Sequence, residues 1–237
     1  MRGARRAGGT PRDSTMTLSP NFGPRRDGLT PELVVLHYTA MSDCAAARRA
    51  LCDPARAVSA HYLIGRDGQV VSLVDEPLRA WHAGAGAWRG QGDVNSRSIG
   101  IELDNDGVTP FAAPLMDALE ALLPAILARW GIAPSGVIGH SCMAPGRKID
   151  PGPRFDWQRL ARQGLALWPE RSGVAACDGR LFRAHALAYG FPDVTDDLLL
   201  SAVRLRFRPA ARGPLDGRDC AIMAEMAERA GLHAGGA

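Results

Sequence analysis

The sequence predicts an α/β domain with a central mixed β-sheet flanked by helices over residues 29–168, and a small all-helical module behind it. Three observations carry this expectation. Short apolar runs rich in β-branched residues, Leu33 to Tyr38, Ile99 to Leu103 and Gly136 to Gly139, alternate with helical patterns. Arg66-Asp67-Gly68 lies between the alternating runs Val58 to Ile64 and Gln69 to Val74, a hairpin signal that argues against an all-parallel sheet. Beyond Asp178 the pattern is helical only, over 179–189, 195–207 and 217–230, with breaks at Gly190-Phe191-Pro192 and Arg208 to Pro214.

In chain order, residues 1–28 are rich in Arg, Gly, Pro, Ser and Thr and read as a disordered tail. They lack the apolar core, about 7–15 residues long, of a secretory signal, so a cytoplasmic location is expected, with the envelope as the alternative. Met16 is an alternative start. Leu33 to Tyr38 is a buried strand. Ser42-Asp43 caps a helix through Leu51 that Pro54 stops. Leu115 to Trp130 is the strongest helix, apolar at 115, 119, 122, 123, 126, 127 and 130, with Pro124 predicting a kink or early break. Pro145 to Pro153 is a loop and Phe155 to Leu167 a helix. Residues 169–178 read as a linker to the module, which runs to about 231.

The 237 residues are 46% hydrophobic and 22% charged, which excludes a wholly disordered chain. No apolar run approaches the roughly eighteen residues of a membrane span. Of the formal charge of +3, the six Arg and two Asp of residues 1–28 account for more than all, leaving the body slightly negative. A basic face for nucleic acid is therefore not expected. Of 28 basic residues 27 are Arg, and the one lysine is Lys148. The five cysteines form no C-x-x-C pair. Cys44 and Cys52, about 12 Å apart along a helix, are too distant to bridge, so free thiols are expected.

Candidate chemistry comes from separate elements. His37 ends LVVLH, His140 ends GVIGH, and Asp150 follows ten residues later in K-I-D-P-G-P. Two imidazoles and a carboxylate can fill three tetrahedral positions on zinc and leave the fourth for water. Spacing alone leaves open that the two histidines are structural or simply exposed. Glu102 sits opposite Ile101 and Leu103 on the pleat, facing either solvent or a cleft. Lys148, two before Asp150, is either a solvated loop residue or a point charge for a developing oxyanion.

Taken together, the stretches VVLHYTA (34–40), SAHYLIGRDGQV (59–70), AWHAG (80–84), NSRSIGIELDN (95–105) and VIGHSCMAPGRKIDPGPRFDW (137–157) resemble the zinc-dependent N-acetylmuramoyl-L-alanine amidases. That family shares its fold with peptidoglycan recognition proteins. The resemblance implies zinc ligands at His37, His140 and Asp150, a general base at Glu102 and an oxyanion stabiliser at Lys148. It implies hydrolysis of the amide between the lactyl group of N-acetylmuramic acid and L-alanine, with muropeptides as partners. Some relatives carry a catalytic Tyr where this chain has Ala60, and others a Cys ligand at a place that Asp150, not Cys142, occupies here. His61, Trp81, His82, Asn105 and Arg147 are candidate substrate contacts, His61 having a structural reading beside it. The alternative is a non-catalytic muropeptide receptor, but such receptors typically lack part of this set. In the module, Ala202 to Pro209 followed by Gly213-Pro214-Leu215-Asp216 resembles a helical peptidoglycan-binding motif without its Phe-Gln pair; a helical buttress is the other reading. A monomer is expected.

Overall fold

The computed structural model describes residues 19–234, Ser172 excepted. Phe22–Pro24 forms β1, Leu33–Tyr38 β2, Cys44–Leu51 α1, Tyr62–Ile64 β3, Val70–Ser72 β4 and Leu78–Ala80 β5. Val94–Arg97 forms α2, Ser98–Leu103 β6, Ala113–Trp130 α3, Val137–Gly139 β7, His140–Met143 α4 and Trp157–Arg162 α5. The module consists of α6 (Gly179–Tyr189), α7 (Asp196–Phe207) and α8 (Gly217–Ala234).

The main sheet has the order β4-β3-β6-β2-β7. β2 runs parallel to β6 and β7, β3 runs parallel to β6, and β3 and β4 form the antiparallel hairpin. The sheet is mixed, as the D-G turn predicted. Alternation along β2 explains the layers. Val34 and Leu36 face one side, with Ile99, Ile101 and Leu103 of β6, against Leu115, Leu119, Leu123 and Ile126 of α3. Leu33 and Val35 face the other side, where they share a core with Phe182, Tyr189, Val203 and Phe207 of the module. The module thus covers one face of the sheet. α3 runs on through Pro124, which is exposed, so its ring lies on the solvated side.

Three expectations need correction. Residues 19–28 belong to the fold rather than to a tail. β1 pairs with β5, Ser19 and Asn21 are buried, and the Arg25 guanidinium donates to the carbonyls of Asn95, Ser96, Ser98 and Glu76. Composition missed this because one arginine that satisfies four carbonyls reads like any solvated charge. The remainder of the expected tail, residues 1–18 with Met16, lies outside the described residues. Second, the strand expected from Val58 begins only at Tyr62. Leu73 N–H and Val74 N–H both converge on His61 O, a bulge-like arrangement, while Ser59 pairs with Trp81 and Asn21 instead. Third, the helix expected over Phe155 to Leu167 is α5 alone. Asp156 caps its start, accepting from Arg159 N–H at 2.9 Å. Gly164, at φ 71°, ends it in a Schellman turn, with Gly164 N–H on Ala161 O and Leu165 N–H on Leu160 O. Residues 169–178 carry no helix or strand among the described residues.

A candidate metal centre

Because β2, β6 and β7 are parallel, their C-terminal ends open together, the usual position of a site in a sheet of this kind. A cleft of about 570 Å³ lies there, lined among others by His37, Trp81, His82, Glu102, His140, Lys148 and Asp150. His37 follows Leu33 and Val35 on the module-side face of β2. His140 is the residue at which β7 turns into α4. Asp150 is brought back to it by its own carbonyl, which accepts from Ser141 N–H at 2.9 Å.

Nδ1 of His37, Nδ1 of His140 and Oδ2 of Asp150 converge, with separations of 2.9–3.0 Å, and all three residues are buried. Burial and the neighbouring His140 lower the His37 pKa to about 4. The donor set fits a metal ion on a point of proton bookkeeping. His140 donates Nε2–H to Ala83 O at 2.8 Å, so its Nδ1 turns a lone pair toward the Asp150 carboxylate. Two acceptors then face each other 3.0 Å apart with no proton between them. A cation at that point removes the repulsion, and two imidazoles with one carboxylate leave an open position on it.

Glu102 is paired directly with His37 across the parallel β2–β6 ladder. Its carboxyl lines the cleft while Oε2 is sealed from solvent without a partner among the described residues. Burial first and the Asp150 charge second raise its pKa to about 8, with Lys148 pulling the other way. A carboxyl with a pKa near neutrality suits general base work. Lys148 is exposed at the cleft rim and close enough for its charge to act on Glu102 and His37.

The other candidates divide. Trp81 and His82 line the cleft. Arg147 also lines it, but donates Nη2 to Ala83 O at 2.7 Å and to Ala85 O, clamping that loop. His61 is fully buried away from the cleft. It accepts from Gly100 N–H at Nδ1 and donates Nε2–H to Leu78 O, which makes it a structural residue. Asn105 is spent on its own turn: Oδ1 accepts from Gly107 N–H and Nδ2 donates to Thr109 O. Sequence reasoning missed Tyr38 in the cleft wall, the Ala83 carbonyl, and Ser98 and Gly100 beneath His82. The glycine inside Ile99 to Leu103 was a readable sign of close approach.

A layered α/β protein with two histidines and an aspartate converging at the strand ends, and a carboxyl poised beside them, has the make-up of a metal-dependent hydrolase. Comparison with known proteins narrows this class. Residues 27–153 match the family described as N-acetylmuramoyl-L-alanine amidase. The chain is 34% identical over 233 residues to N-acetylmuramoyl-L-alanine amidase AmiD of Escherichia coli (strain K12), covering 84% of this chain and 83% of that one. The structure of AmiD from E. coli with the substrate anhydro-N-acetylmuramic acid-L-Ala-D-gamma-Glu-L-Lys superposes with a TM-score of 0.76, covering 86% of this chain and 91% of that one. AMPDH3 from Pseudomonas aeruginosa, 30% identical, superposes with a TM-score of 0.72 over 93% of this chain and 98% of that one. The 1,6-anhydro-N-acetylmuramyl-L-alanine amidase AmpD of Enterobacter cloacae is 44% identical over 104 residues, 44% of this chain and 56% of that one. The chain belongs to the N-acetylmuramoyl-L-alanine amidase family.

Proposed function

We propose that the protein is a zinc-dependent amidase that hydrolyses the bond between the lactyl group of N-acetylmuramic acid and L-alanine in soluble peptidoglycan fragments. The observation that carries this is the convergence of His37, His140 and Asp150 in the cleft, with Glu102 in register beside His37. The substrate class rests on the likeness to AmiD and AmpD, whose names and complex specify muramyl-L-alanine amides.

His37, His140 and Asp150 would hold the ion, with Asp150 as the charged ligand. Zinc there would supply Lewis acidity, polarising the scissile carbonyl and making water easier to deprotonate. Glu102 takes the proton of the attacking water and delivers it to the leaving amine nitrogen of L-alanine. Lys148, at the rim, offsets the negative charge that grows on the carbonyl oxygen in the tetrahedral intermediate. Trp81, His82 and Arg147 are the proposed substrate contacts from the wall of the cleft. The protein acts as a monomer without nucleic acid. A cytoplasmic place goes with soluble fragments as substrate, and no described helix is long and apolar enough to cross a membrane.

The test is to incubate the zinc-loaded protein with a soluble anhydro-muropeptide and, separately, with insoluble sacculi, following peptide release by mass spectrometry. Release from the soluble fragment alone is expected. Release from sacculi would move the protein to the envelope and make the helical module a wall anchor. Release from neither would favour the receptor.

A further inference from the structure

Three residues on the cleft-side face of β6 are Ser98, Gly100 and Glu102. The reaction described above uses only the last. The first two support a chain of polar groups that ends on a metal-site histidine, and the direction of every hydrogen in that chain can be worked out. The carbonyl of Val94 can only accept, and Ser98 Oγ lies 2.5 Å from it. The single hydroxyl proton of Ser98 is thereby spent. Ser98 Oγ, 3.1 Å from His82 Nε2, can then only accept, so the His82 ring proton sits on Nε2. With no carboxylate among the described residues in contact with the ring, the other nitrogen is left as an acceptor. His82 Nδ1 is 3.0 Å from His37 Nε2, which must therefore carry the His37 proton. That leaves His37 Nδ1 as a lone pair, 3.0 Å from His140 Nδ1 and 2.9 Å from Asp150 Oδ2.

We propose that Ser98 and His82 are positioning residues, which lock His37 in its Nε2–H tautomer and so aim the Nδ1 lone pair at the metal position. The inference rests on the reading of this cleft as a metal centre. It makes the two histidine ligands equivalent in design but not in partner. His140 is fixed by a backbone carbonyl one bond away, that of Ala83, while His37 reaches its terminal carbonyl only through two side chains. A ligand whose outer nitrogen is held in this way is better oriented and more basic, and loss of such a partner typically costs about 10–100-fold in metal affinity.

Gly100 is part of the same device. A Cβ at this position would lie 2.4 Å from Cγ of His82, so the ring can cross the strand only because the side chain is missing. The peptide there cannot swing aside to make room, since Gly100 N–H is held by His61 Nδ1 at 2.9 Å and Gly100 O accepts His61 N–H at 3.0 Å. His61 thereby acquires a reason to be buried: it fixes the segment of strand over which His82 lies.

The test uses the full chain with 15N-labelled histidine. Long-range proton–nitrogen correlation spectra report the tautomer of each ring in the metal-free protein, and zinc affinity is measured by competition with a chelating dye. The expected result is an Nε2–H tautomer at both His37 and His82 before zinc is added. In Ser98→Ala and in His82→Met, His37 should become a tautomer mixture and zinc affinity should fall about 10–100-fold. His82→Gln, whose amide can accept from His37 and donate to Ser98, should keep the His37 tautomer and most of the affinity. An Nδ1–H tautomer at His37 in the unsubstituted protein would overturn the proposal. Zinc affinity unchanged in both Ser98→Ala and His82→Met would do the same. Failure of the metal-centre reading shows separately: the unsubstituted protein would then bind no zinc, whatever the tautomer of His37.

Discussion

Glu102 carries an electrostatic conflict in the cleft, a carboxyl with one oxygen sealed from water beside the ionised Asp150. Glu102→Gln should retain zinc and lose about 10²–10⁴-fold in turnover, the usual contribution of a positioned base. Zinc content by elemental analysis and peptide release together check it, and full activity would remove Glu102 from the role. The same substitution has a stability signature in the metal-free protein. Between pH 4.5 and about 8 the folded chain holds a proton at Glu102 that the unfolded chain has released. Stability therefore falls as pH rises through that window, and Glu102→Gln should flatten the fall in a series of thermal melts. Asp150→Ala should abolish stoichiometric zinc binding, and unchanged stoichiometry would take it out of the ligand set. At this scale the three candidate ligands were legible, since each stands at a strand end or in the loop after one. His61 and Asn105 were not: a motif position does not say which acceptors surround a side chain, and both are consumed by backbone groups.

At the scale of elements, β1 is the part that composition concealed. Arg25 ties it to the carbonyls of Asn95, Ser96, Ser98 and Glu76, at the entrance to β6 and beside the His82–Ser98 contact. Arg25→Ala leaves several carbonyls short of a donor and should destabilise the fold by about 3 kcal/mol, measured by denaturant unfolding. A change within about 0.5 kcal/mol, typical of a solvated surface position, would return the segment to a tail. The longer elements were readable, β2 and β6 as short apolar runs and α3 from a helical spacing that repeats several times. The short ones were set by features with no period: the Asp156 cap and the Gly164 turn around α5, and the bulge-like bonding at His61 before β3.

At the scale of the whole molecule, the division into a catalytic domain and an appended module does not correspond to two cores. Trp88, fully buried, packs edge-on against Tyr189 and Phe191, and Leu33 and Val35 share that cluster with α7 and α8. Arg206 lies in the seam, its guanidinium 3.5 Å from the centre of the Trp157 ring and bonded to Leu167 O. Of the other arginines in the motif between Ala202 and Asp216, Arg204 and Arg208 are engaged within the module, where they pair with Asp219 and Asp216. A chain ending at Trp168 should therefore be insoluble or lack near-ultraviolet circular dichroism, and Trp88→Ala should cost about 3–5 kcal/mol. A soluble, cooperatively folded truncation would show the module to be an independent appendage. The helices were legible from their spacing, but the shared core was not, because an apolar face on a helix does not name the surface that covers it.

The most direct test of the central claim is to run the reaction in 18O-water with an anhydro-muropeptide and locate the label by mass spectrometry. Attack at the muramyl carbonyl places one 18O in the lactyl carboxylate and releases a peptide with an unlabelled, free L-alanine amine. Label in a peptide carboxylate, or no cleavage by the zinc-loaded protein, would contradict the account.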